Sequence, residues 1–100
     1  MRDLKYYTCI YDSDEIELFF LEENGSCSFL MKECRNNYDY FYEVIISTAD
    51  ALTLAEYPTD NDDLSLTERI SFLFGANNGY CRFVRMCEKK GFDFKDIKWL

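Results

Sequence analysis

Seven carboxylates and no base stand between Asp39 and Asp63: Asp39, Glu43, Asp50, Glu56, Asp60, Asp62 and Asp63. Carboxylates in such numbers can hold a cation, trade protons, or present a negative field to a partner. The cation reading meets obstacles at once. The chain has no histidine and no paired-cysteine spacing, which disfavours zinc. Asp60-Asn61-Asp62-Asp63 opens like a calcium loop, but its sixth position is Ser65 and its twelfth is Ser71, where glycine and glutamate are required. It reads as a solvated acidic loop, with neither metal nor cofactor expected.

Proton chemistry fares no better. Without histidine the commonest general base is missing. Four glycines form no phosphate cradle. A nucleophilic cysteine needs a cationic neighbour to lower its pKa. Cys81 beside Arg82, and Cys87 near Lys89 and Lys90, are the nearest candidates. Both thiols fall on or beside an apolar helical stripe, where they would be packed and inert. No enzyme is expected.

The third use of the carboxylates, electrostatic recognition, fits the charge distribution. Residues 1–64 hold 15 acids and 4 bases, whereas residues 65–100 hold 4 acids and 7 bases. Arg82, Arg85 and Lys89 lie at helical spacing opposite the apolar stripe and read as a solvated face. The net charge of −8 opposes steering to nucleic acid or to an anionic membrane, and attracts basic protein surfaces.

These groups need a frame. One hundred residues, 48% apolar and 18% aromatic, predict a single domain spanning 1–100 with a real core. Met1–Lys5 lacks the apolar segment of a secretory signal, and no apolar run approaches membrane-spanning length. The five widely spaced cysteines read as reduced, mostly buried thiols in the cytoplasm.

Asn24-Gly25 between apolar runs predicts a two-residue hairpin, because both central residues of a type I′ turn need positive φ. Its register pairs Phe20 with Phe29 and Leu18 with Met31 on one face. Phe19 with Leu30 and Glu17 with Lys32 fall on the other, the last an opposite-charge pair. Asn36-Asn37 extends the sheet, setting Tyr40, Tyr42, Val44 and Ile46 opposite Glu33, Met31, Phe29 and Cys27. A turn at Ser13-Asp14 places Tyr7, Cys9 and Tyr11 on that same face. Residues 39–57 also fit one long helix, but Tyr-Phe-Tyr-Glu-Val-Ile-Ile is β-rich. The strand reading leaves a short helix over Ala49–Tyr57 ended by Pro58.

Ser65-Leu66-Thr67-Glu68 is a capping box opening a helix that Gly75 closes. A last helix starts at Asn77 or Asn78, carries Tyr80, Phe83, Val84 and Cys87 as its stripe, and stops at Gly91. Asp93–Leu100 fits a short helix or an edge strand. The expected fold is α+β: a four-stranded antiparallel β-meander with two or three short helices packed on its aromatic face.

On that frame Glu15, Glu17, Asp39, Glu43, Asp50, Glu56, Asp60, Asp62 and Asp63 form an acidic rim around Phe19 and Leu30. Acids around apolar residues match interface anatomy, and regular carboxylates can imitate a phosphate backbone. In composition, though in no motif, the chain resembles the small acidic inhibitors that phages and mobile elements direct at nucleases, including anti-CRISPR proteins. The implied function is inhibition by occupying the basic nucleic-acid-binding site of a target protein. An immunity protein or antitoxin against a nuclease toxin uses the same complementarity. An oligomeric adaptor, dimerising through the apolar second face, is the reading of a different class.

Overall fold

The computed structural model describes residues 4–55 and 64–99. After a 3-10 turn at Leu4–Tyr6 come β1 (Thr8–Asp12), β2 (Ile16–Glu23), β3 (Ser26–Arg35) and β4 (Tyr38–Ser47). Three helices follow, α1 (Thr48–Leu54), α2 (Leu66–Phe74) and α3 (Gly79–Lys90), and then β5 (Lys95–Trp99). All five strands join one antiparallel sheet in sequential order. The architecture is therefore the anticipated α+β meander, with Lys95–Trp99 resolved as a fifth, edge strand. The segment Lys95-Asp96-Ile97-Lys98 keeps that edge charged and exposed, which discourages pairing with another chain.

The two asparagine turns set the registers. Asn24 and Gly25 have φ of 51° and 80°, and Asn36 and Asn37 have 53° and 67°. Phe20 accordingly pairs with Phe29, Leu18 with Met31 and Glu17 with Lys32. Across β3 and β4, Val44 pairs with Phe29 and Tyr42 with Met31. Residues 39–47 are strand, and the helix after them ends at Leu54, earlier than Pro58 suggested.

The β1 hairpin departs from expectation in two steps. Its turn centres one residue later, on Asp14-Glu15, closed by a bond of 2.9 Å from the Ser13 amide to the Ile16 carbonyl. A bulge between Cys9 and Tyr11 then inserts Ile10. Tyr11 keeps the core face, now opposite Leu18, but Cys9 pairs with Phe19 and turns to the other face. An extra residue reverses every side chain beyond it. The bulge has a use: Ile10 packs against the core, and its carbonyl accepts from the Ser71 hydroxyl of α2 at 3.5 Å.

The core lies between the aromatic face and the helices. Leu18, Phe20, Phe29, Val44 and Ile46 meet Ala51 and Leu54 of α1, Ile70 and Phe74 of α2, and Tyr80, Phe83 and Cys87 of α3. Two of the helix ends read from sequence form with their full capping hydrogen bonds. Ser65 and Glu68 make the reciprocal capping box. Gly91 ends α3 at φ 71°, and the Phe92 amide reaches the Cys87 carbonyl at 3.0 Å, completing a Schellman motif. Gly79 opens α3 so close to α2 that a Cβ there would lie 1.7 Å from the Phe74 carbonyl oxygen.

Replacing Asn24-Gly25 by Val-Val forces β-branched residues into left-handed backbone, at about 1–2 kcal/mol each. Urea denaturation should show a loss of that order; unchanged stability would mean the turn does not set the register. Gly79→Ala should cost at least as much by separating α2 from α3, and should appear as a lowered melting temperature.

Candidate functional site

The second face of the sheet was expected to be an exposed apolar patch inside an acidic rim. Its centre is instead buried. Leu30 and Glu43 are 0% and 1% exposed, with Ser28 and Phe41 also buried, while Phe19, Leu21 and Ile45 are half-buried. Glu43 therefore leaves the set of surface acids, and Leu30 leaves the set of contact residues. The Tyr7 hydroxyl donates to Glu43 Oε2 at 2.8 Å. Strands are spaced about 4.8 Å apart, so a residue just ahead of β1 must reach across the sheet to meet β4. The bulge at Ile10 is what turns this part of the chain to the second face. A buried carboxylate without a partner would be costly, and the phenol supplies one donor.

The remaining predicted acids separate into groups. Glu15, Glu17 and Asp39 converge at the sheet end that carries the Asp14-Glu15 and Asn36-Asn37 turns. With Ser13, Asp14, Lys32 and Cys34 they line a depression of about 180 Å³. Lys32 is its cation, 3.8 Å from Glu17 and 3.9 Å from Asp39. Four carboxylates against one lysine among the described lining residues leave the field there negative, and such exposed pairs contribute only tenths of a kcal/mol. Arg35 at the same end is held by Glu33 at 2.8 Å and lies over the Tyr40 ring. Tyr38, beside Asp39, is 69% exposed. Asp50 belongs to the other end of the sheet, in the first turn of α1. Glu56, Asp60, Asp62 and Asp63 lie outside the described residues.

Sequence reasoning missed Asp14 as a member of this cluster. Placing the turn one residue early is the reason, since the true centre projects Asp14 and Glu15 together. Among the described residues no group of three or more histidine, cysteine or acidic side chains has the geometry to hold a metal ion.

The cysteines also sort differently. Cys27 and Cys87 are buried, but Cys9, Cys34 and Cys81 are exposed, so Cys81 is not packed on the α3 stripe as expected. No cysteine is bonded to another. Burial pushes the Cys87 thiol up to about 11, helped by Asp50 and Glu88. Burial also raises Cys27, against the hydrogen bond to Thr48. The Tyr80 hydroxyl is buried without a hydrogen bond of good geometry, and its pKa is raised by that burial and then by Asp96 and Glu43. These shifts favour neutral, unreactive groups.

A second concavity opens on the opposite, helical side. Leu54, Leu73, Phe74 and Met86 floor it, Arg82, Arg85 and Lys89 rim it, and its volume is about 450 Å³. No helix among the described residues is long and apolar enough to cross a membrane. No known protein family, curated protein or solved structure matches the chain.

Two of five thiols should resist a disulfide reagent in the folded protein and react only after denaturation; rapid reaction of all five would contradict the packing. Cys87 and Tyr80 have folded pKa values above their unfolded ones, so both favour the native state at neutral pH. That contribution is lost as pH climbs from about 9 toward 11 and beyond. Melting temperature should fall over this range, and less steeply in Cys87→Ala measured against its own neutral-pH value.

Proposed function

We propose that this chain is a non-enzymatic binding protein that uses the acidic end of its sheet to occupy a basic, nucleic-acid-binding site on a target protein. The observation that carries this reading is the convergence of Asp14, Glu15, Glu17 and Asp39 on one depression with Lys32 as its cation. Strands and tight turns hold the backbone that carries these carboxylates, so little loop entropy is lost on docking. The exposed Tyr38 adds an aromatic contact at low entropic cost. Complementary charge of this kind accelerates encounter at low salt and selects basic surfaces over others.

The consequence of occupation is inhibition, by steric and electrostatic exclusion of the target's own polyanion. A phage-encoded inhibitor of a host defence nuclease and an immunity protein against a toxin nuclease would both use this surface, and both act in a cytoplasm. The buried state of Leu30 and Phe41 removes much of the apolar area that a dimerising adaptor would use, which favours the charged reading.

The test is capture from the native host's lysate on immobilised full-length chain, eluted by stepwise salt. A nucleic-acid enzyme should be released at moderate salt and displaced by its own nucleic acid. The triple charge reversal Glu15→Lys, Glu17→Lys, Asp39→Lys should weaken its capture at least tenfold while shifting the melting temperature by no more than a few degrees. A partner indifferent to both salt and the triple reversal would refute the reading.

A further inference from the structure

The groove between α2 and α3 combines two features that the acidic surface does not explain. Among the described residues its floor is apolar: Leu54 from the end of α1, Leu73 and Phe74 from α2, and Met86 from α3. The described polar residues of its rim are cationic, with Arg82, Arg85 and Lys89 at i, i+3 and i+7 along α3. They span about 10 Å of one helix face. In a chain of net charge −8, no carboxylate among the described residues lies within ion-pair distance of any of the three.

One of these cations is already positioned. The Arg82 Nε donates to Asn78 Oδ1 at 3.1 Å, and its guanidinium lies 5.5 Å from the centre of the Phe74 ring. Arg85 and Lys89 are exposed and line the same groove. Anchoring Arg82 lowers the ordering cost of binding an anion there.

The lining also selects the body of the occupant. Its described residues are leucine, phenylalanine, methionine, arginine and lysine, with no neutral hydrogen-bonding side chain among them. Peptide or nucleobase groups pressed onto such a floor would leave polar atoms without partners, at a cost. An aliphatic chain has none to leave, and methionine adapts readily to its shape. The volume is that of a small-molecule site. A polyanion would also meet the repulsion of the whole chain at each of its charges, whereas a single-headed amphiphile meets it once.

We propose that this groove binds a free medium-chain fatty carboxylate, its chain on Leu54, Leu73, Phe74 and Met86 and its head group among Arg82, Arg85 and Lys89. The site lies on the helical side, away from the acidic sheet end, and stands whether or not the inhibitor reading does.

Dodecanoate, titrated into the full chain below its micelle concentration and followed by calorimetry, should bind saturably at one per chain. Arg85→Glu with Lys89→Glu should weaken it at least tenfold. Both positions are exposed, so the melting temperature of the double variant should match that of the parent. Dodecyltrimethylammonium, with the same chain and a positive head, should not bind. Absence of saturable dodecanoate binding, equal affinity in the double variant, or equal binding of the cationic amphiphile would each overturn the proposal. Binding of a thymidine dodecanucleotide in place of dodecanoate would also overturn it, and would make the groove a single-strand site.

Discussion

Phe29 is the contact on which the two layers depend. From the middle of β3 it meets Phe20 of β2 edge-on at 6.5 Å, Phe74 of α2 near-perpendicular at 6.3 Å, Tyr80 at 5.9 Å and Phe83 of α3 at 4.5 Å. Phe74 and Phe83 also touch each other at 5.1 Å. One ring thus joins the sheet to both long helices and helps hold those helices together. Aromatic pairs of this geometry add about 0.5–1.5 kcal/mol each beyond area burial. Displacing Phe29 from this position would therefore weaken several interfaces at once. A slip of a single residue at Asn24-Gly25 would do that, by sending Phe29 to the opposite face.

That dependence explains why the fold was largely legible from residues alone. Asn24-Gly25 and Asn36-Asn37 carry their own conformational preference, and strand alternation follows mechanically from each turn. The β1 hairpin lacked such a signal. Ser13, Asp14 and Glu15 have no positive-φ specialist among them, so the turn could slide, and nothing in Tyr7–Asp12 marks Ile10 as an insertion. Its cause is tertiary: the Ile10 carbonyl is engaged by Ser71, sixty-one residues away. Helix caps, being local, were readable; a bulge answering to α2 was not.

The candidate site was legible only in part for the same reason. Alternation correctly placed Glu43 and Leu30 on the second face, but alternation does not say what covers a face. The cover involves Tyr7, whose hydroxyl reaches Glu43 across the sheet. A carboxylate in sequence looks alike whether it faces water or a phenol. Cys81 shows the converse error, since it adjoins Tyr80 on the apolar stripe, yet one residue of helix rotation carries it about 100° away to solvent.

Burial of the second face changes where recognition can happen. Acids spread evenly over a sheet would give a diffuse field, strongly screened beyond about 8–10 Å at physiological salt. Acids gathered at one end by two turns act together within that distance, and their neighbours Tyr38 and Lys32 give the patch shape as well as sign. The helical side carries the opposite arrangement, cations around an apolar floor. The two surfaces are separated by the aromatic layer centred on Phe29, so each keeps its own local field despite the net charge of the whole. Under the proposed readings the acidic end governs encounter with a macromolecule. The groove selects by contact, where desolvation and shape outweigh long-range charge.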